Sequence, residues 1–83
     1  MDIILEIHTP GNGKTYEFTL DDEMNTAAAA RAAAEEVVLF ENGNIGLKAD
    51  EAAFFQIRRG QALDAALTLR ACGVLGGDRL LLL

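Results

Sequence analysis

From Asp2 to His8 apolar and polar side chains nearly alternate, with Ile3, Leu5 and Ile7 on one side of an extended chain and Ile4, Glu6 and His8 on the other. That periodicity predicts a half-buried strand. A cluster of turn formers, Thr9-Pro10-Gly11-Asn12-Gly13, comes next, and beyond it Tyr16, Phe18 and Leu20 alternate with Thr15, Glu17 and Thr19. The N-terminal part of the chain therefore predicts a β-hairpin.

Asp21, Asp22 and Glu23 supply N-cap candidates and negative charge suited to the positive end of a helix dipole, and seven of the eight residues from Ala27 to Ala34 are alanine. The pattern predicts a helix from about Asp22 to Glu41, with Ala27, Ala30, Ala33, Ala34, Val37 and Phe40 on one stripe. Asn42 and Gly43 suit a left-handed C-cap. A loop from Asn44 to Ala52, with a short turn at Asp50 and Glu51, leads to a third strand over Phe54-Phe55-Gln56-Ile57-Arg58, broken at Gly60. Ala62 and Leu63 form a stub that can pair as a fourth strand. Leu69 to Cys72 make a short turn stopped at Gly73, and Gly76-Gly77-Asp78 turn the chain into a last strand, Arg79 to Leu83. The expected core is Ile3, Leu5, Ile7, Tyr16, Phe18, Leu20, Ala30, Val37, Phe55, Ile57, Leu69, Leu80 and Leu82.

Eighty-three residues leave room for one small domain, residues 1–83, and none for a second lobe closing over a substrate. A domain of this size commits most of its apolar residues to stability, so a deep pocket is not expected. Thirteen acids against seven bases give a net charge of -6. Of the bases, only Arg58 and Arg59 are neighbours, so nucleic acid is a poor partner. No stretch approaches membrane-spanning length, Met1 to Glu6 does not read as a signal peptide, and Cys72 has no second cysteine to pair with. These features predict a reducing, cytoplasmic setting without membrane insertion.

Each candidate for chemistry meets a plainer reading. Gly11-Asn12-Gly13-Lys14-Thr15 imitates the end of a phosphate-binding loop, but the glycine required five residues before Gly13 is His8, and a strand rather than a helix follows Thr15. A hairpin turn explains the glycines. His8 and Glu6 are two ligands where zinc takes three or four from the protein, so no metal site is expected. Cys72 has no histidine partner and reads as a small buried apolar residue. The run Asp21-Asp22-Glu23 reads as capping rather than as a carboxylate pair. No catalytic residue and no cofactor are predicted.

The C-terminal segment carries the most information. Thr68-Leu69-Arg70-Ala71-Cys72-Gly73-Val74, followed by Gly76-Gly77-Asp78-Arg79-Leu80, together with the order of elements, resembles ubiquitin-like β-grasp proteins. Among these the chain looks most like the YukD/EsaB group associated with bacterial type VII (WXG100) secretion. The resemblance covers the whole chain in element order and about the last twenty residues in specific motif. It implies an α+β fold, a mixed sheet of four to five strands packed on one helix, and a non-catalytic protein-binding role, accessory or regulatory, in secretion.

It also brings rivals. Sulfur carriers and protein modifiers of this fold end in a Gly-Gly tail that is activated at its carboxylate, whereas this chain ends in Leu82-Leu83 and its adjacent glycines precede the last strand. That reading is therefore disfavoured, and a regulatory ubiquitin-like domain unrelated to secretion stands as a third. In the implied strand order the last strand lies between the first and third. With Leu80 and Leu82 inward, the outer face would hold Ile4 and Glu6 on one side of Leu81 and Leu83, and Phe54, Gln56 and Arg58 on the other. The expected protein-binding residues are thus Ile4, Phe54, Gln56, Arg58, Leu81 and Leu83. The occupant would be a protein partner such as a secretion component, with a second copy of the chain or the Asn44–Ala52 loop as the alternative cover.

Overall fold

The computed structural model describes all 83 residues. β1 (Asp2–Thr9) and β2 (Lys14–Asp21) form the expected hairpin, with Leu5 opposite Phe18 and Ile7 opposite Tyr16. Its turn is closed by Gly13 N–H on Thr9 O at 3.0 Å and by Lys14 N–H on Asn12 Oδ1 at 3.1 Å, with Gly13 in the left-handed region at φ 69°. Lys14 and Thr15 belong to β2, so the glycine-lysine-threonine run is a hairpin turn and no helix follows it.

α1 spans Thr26–Phe40, four residues later than the expected start at Asp22. Asn25 caps it, its Oδ1 accepting Ala28 N–H at 3.2 Å. The acids before it have another task. Asp21 and Asp22 each place a carboxylate oxygen 3.1 Å from the Met1 ammonium, and Asp21 also accepts Glu23 N–H at 3.0 Å. The helix ends as expected, with Asn42 and Gly43 both left-handed and Gly43 N–H reaching Val38 O at 2.9 Å. Ala29, Ala30, Ala33, Ala34 and Val37 are buried beneath it, their small side chains letting the helix lie close to the sheet. Ala27 is exposed at the rim of that stripe. Phe40 lies past the end of the core, 61% exposed, and stacks instead on Tyr16 with ring centroids 6.2 Å apart. Tyr16 in turn donates to Glu41 at 2.9 Å, and Lys14 pairs with the same carboxylate at 2.7 Å, fastening the hairpin to the end of α1.

After a 3-10 turn at Ala49–Glu51 come β3 (Phe54–Gln56), β4 (Gln61–Ala62) and β5 (Arg79–Leu82). The five strands form one sheet in the order β2-β1-β5-β3-β4, with β1 and β5 parallel and the other pairs antiparallel. This is the mixed α+β architecture expected, with the last strand between the first and third. Leu5, Ile7, Leu80, Leu82, Leu69 and Val74 join the helix stripe in one buried cluster.

β3 departs from expectation. Phe54 and Gln56 point inward and are fully buried, while Phe55 is only half-buried and Ile57 is 44% exposed. Phe55 and Ile57 are therefore not core, and every side chain of this strand faces opposite to the sequence-based register. The registers Phe54 to Leu82 and Gln56 to Leu80 fix the matter, because Leu80 and Leu82 face the helix.

Candidate protein-binding face

The sheet surface turned away from α1 can be read row by row from the strand registers. One row crosses all five strands as Ala62, Phe55, Leu81, His8 and Thr15. The next holds Arg79, Glu6 and Glu17, with Ile57 at the β3 side, where its N–H reaches Arg79 O at 3.3 Å. A third row pairs Ile4 with Thr19. Glu6, His8, Thr15, Ile57 and Arg79 line a shallow hollow of about 490 Å³ on this face.

Of the expected binding residues, Leu81 lies in the middle of the face. Phe54 and Gln56 do not belong to it, since both are buried beneath the sheet. Arg58 does not belong to it either. Its guanidinium forks onto Asp78, Nε to Oδ1 at 3.1 Å and Nη2 to Oδ2 at 3.0 Å, and also donates to Gly73 O at 2.9 Å. Asp78 Oδ2 further accepts Gln56 Nε2 at 3.2 Å and Leu75 N–H at 2.9 Å. Arg58 and Gln56 thus belong to a structural hub that ties the β3–β4 turn to the approach into β5. Burial pushes the Asp78 carboxyl up, but the hydrogen bonds from Arg58, the Leu75 amide and Gln56 outweigh it and hold the group below the usual carboxylate range.

Ile4 is 52% exposed but stands apart. Glu6 lies opposite Arg79, which puts Ile4 level with Gly77, six positions before Leu83; at ~3.3 Å per residue the two are about 20 Å apart. Between Ile4 and Leu81 lies the Glu6–Arg79 ion pair, Oε2 to Nε at 2.6 Å, so the single apolar patch expected from the sequence is divided by charge. Leu83 is exposed at the far end of the sheet, where it shares shallow hollows with Gly46, Leu47 and Glu51. The apolar part of the face is accordingly Phe55, Leu81 and Ile57, flanked by His8, whose Nδ1 lies 3.1 Å from Thr15 Oγ1. Alternation along the strand points Phe55 and Ile57 to the core, and only the shifted register of β3 brings them to this face.

His8 and Glu6 have no further ligand beside them, and no cluster of three or more His, Cys, Asp or Glu side chains in the chain could hold a metal ion. The face carries a half-exposed aromatic and aliphatic row, Phe55, Leu81 and Ile57, bordered by the ionic and hydroxyl groups of Glu6, Arg79, His8 and Thr15.

No protein-family model and no curated protein matches the chain. Among solved structures, the ubiquitin-like domain of EccD5 from Mycobacterium xenopi superposes with a TM-score of 0.79 at 22% identity, covering 100% of this chain and 93% of that one. A chain of the MycP5-free ESX-5 inner membrane complex superposes with a TM-score of 0.77 at 23% identity, over 99% of this chain and 20% of the other. Caldiarchaeum subterraneum ubiquitin gives 0.69 at 22% identity, covering 99% and 91%. The fold is the ubiquitin-like β-grasp.

Proposed function

We propose that the chain is a non-catalytic ubiquitin-like protein-binding module, acting as an accessory or regulatory component of bacterial type VII (WXG100/ESX-type) secretion. The observation that carries the binding role is the row Phe55–Leu81, with Ile57 beside it, left open to solvent on the face opposite the helix. The secretion assignment draws support from the likeness to the EccD5 ubiquitin-like domain and to a chain of the ESX-5 complex, both with higher TM-scores than Caldiarchaeum ubiquitin. A modifier or carrier role is disfavoured, because Gly76 and Gly77 lie in a turn, where Gly77 N–H donates to Ile4 O at 2.7 Å.

Phe55→Ser with Leu81→Asp tests the reading, since both side chains are outward and half-buried. The variant should keep its far-UV circular dichroism and, returned to a host lacking the native gene, should fail to restore export of WXG100 proteins. A folded variant that restores export fully would overturn the face. Unchanged export in the gene deletion would overturn the secretion role.

A further inference from the structure

The outward face of α1 is unpartnered. At 3.6 residues per turn Ala28, Ala32, Glu35 and Leu39 fall on one line opposite the buried stripe, with Arg31 and Val38 along one flank and Glu36 along the other. Apolar exposure gathers at its two ends. At the C-terminal end Leu39 is 74% exposed, beside a hollow of about 400 Å³ walled by Val38, Leu47, Ala49 and Glu35. At the N-terminal end Ala27 and Ala28 are exposed. Thr26 N–H donates to Leu67 O at 2.8 Å and Ala27 N–H to Ala65 O at 3.3 Å, which holds the exposed segment Ala65-Ala66-Leu67 next to the first turn. Between the two ends lie all the charges of the helix, Arg31, Glu35 and Glu36.

We propose that this face seats a second copy of the chain, the two α1 helices packing antiparallel about a two-fold axis between Ala32 and Glu35. The order of residues is self-complementary in that arrangement. It sets Leu39 over the second copy's Ala28, where a small side chain leaves room, and Arg31 beside the second copy's Glu36, each contact made twice. Leu39 and Ala28 lie eleven positions apart, about 16 Å along the helix, so both ends close together. Alanine at positions 28 and 32 lets the axes approach to about 8 Å. Glu36 has no ion-pair partner in its own chain, and Arg31 holds only the exposed Glu35 at 3.2 Å, so the guanidinium can bridge that carboxylate and the second copy's Glu36. Parallel helices would instead oppose Glu35 with Glu35 and Glu36 with Glu36. A basic helix from another protein would meet Arg31 with a like charge, whereas a second copy supplies an acid opposite Arg31 and a base opposite Glu36. One helix pair buries less than the ~1,200 Å² of a standard interface, and each chain carries a net charge of -6, so the association is weak and concentration-dependent. Its consequence is bivalency. α1 lies across the sheet from Phe55, Leu81 and Ile57, so the dimer turns two such faces outward and would hold a two-site partner more tightly than one copy does; this consequence rests on the protein-binding reading of that face, and the dimer does not.

Sedimentation equilibrium of the 8.9 kDa chain, from about 20 μM to about 1 mM, should show a mass rising towards twice that value. Dilution over the same range should move the Ala28, Arg31, Ala32 and Leu39 amide signals in NMR spectra. Leu39→Asp, at an exposed position, should weaken association at least ~10-fold with the far-UV circular dichroism retained. Arg31→Glu and Glu36→Arg should each stay monomeric, because each sets like charges opposite one another twice. An equimolar mixture of the two should dimerise, since every opposed pair is then of opposite sign. Leu81→Asp should change nothing, which separates this surface from the outer face. A chain that is monomeric at about 1 mM overturns the proposal, as does a mixture of the two folded charge variants that fails to associate. So does a dimer that Leu81→Asp dissolves or that Leu39→Asp leaves intact. Dilution shifts centred outside α1 overturn it whatever the variants do.

Discussion

Removing the Asp78 carboxylate should be the most damaging single change to a polar side chain, and the structure says by how much. Four donors converge on it from Arg58, Gln56 and the Leu75 amide. In Asp78→Ala they are not equally hurt. Arg58 is 44% exposed, so water and the retained Gly73 carbonyl replace its partner. Leu75 N–H sits in an exposed turn and loses one bond, ~0.5–1.5 kcal/mol. Gln56 has no such escape. Its side chain is 0% exposed and its Oε1 already lacks a partner, so losing Asp78 strands the whole amide inside the core. That adds ~1–3 kcal/mol, for a total of about 2–4 kcal/mol and a fall in melting temperature of roughly 10–25 °C for a chain of this size.

Urea unfolding followed by far-UV circular dichroism would measure the loss. A change below ~0.5 kcal/mol with an unchanged m-value would refute the reasoning, as would losses for Asp78→Ala and Arg58→Ala that simply add in the double variant. The pH dependence gives a second check. Because the folded carboxyl is held below its ordinary range, its stabilisation is complete above the ordinary carboxylate value near ~4 and is lost as pH falls through the folded value. The gap between the native chain and Asp78→Asn should therefore be constant from about pH 5 to 8 and shrink below ~4.

Two further outcomes follow from the local geometry. Asn25→Ala should cost ~1 kcal/mol in thermal melts by removing the cap on Ala28 N–H; no loss would mean that the helix begins among the preceding acids. Cys72 Sγ lies 3.6 Å from both Thr26 Oγ1 and Asp64 O and is half-buried, so a thiol reagent should label it slowly in the native protein and quickly in urea. Cys72→Ala should cost roughly 1 kcal/mol and spare partner binding; rapid native labelling would contradict a packing role.

Where the sequence could be read and where it could not follows from how local the deciding interactions are. The hairpin, the helix and β5 are legible because alternation or alanine content speaks within a few residues, and the positive-φ turn at Gly13 and the helix end at Asn42-Gly43 stand where the sequence puts them. The start of α1 was not legible, since Asp21, Asp22 and Asn25 are all good caps by type. The choice falls to Asn25 because Asp21 still belongs to β2 and Asp22 N–H continues that ladder onto Met1 O, pairings with a strand some twenty residues away.

The register of β3 is the deeper case. Adjacent phenylalanines place one ring inward in either register, and the pattern alone favours Phe55 with Ile57 over Phe54 with a buried glutamine. The observed choice buries Gln56 because Asp78, 22 positions later, supplies its partner, information that no window on β3 contains. That one-residue difference moves Phe55 to the surface beside Leu81 and takes Phe54 off it. The candidate binding face therefore depends on the same carboxylate as the stability of the fold. A loss of Asp78 that loosens β3 should disturb the Phe55–Leu81 row even though Asp78 itself stands outside it.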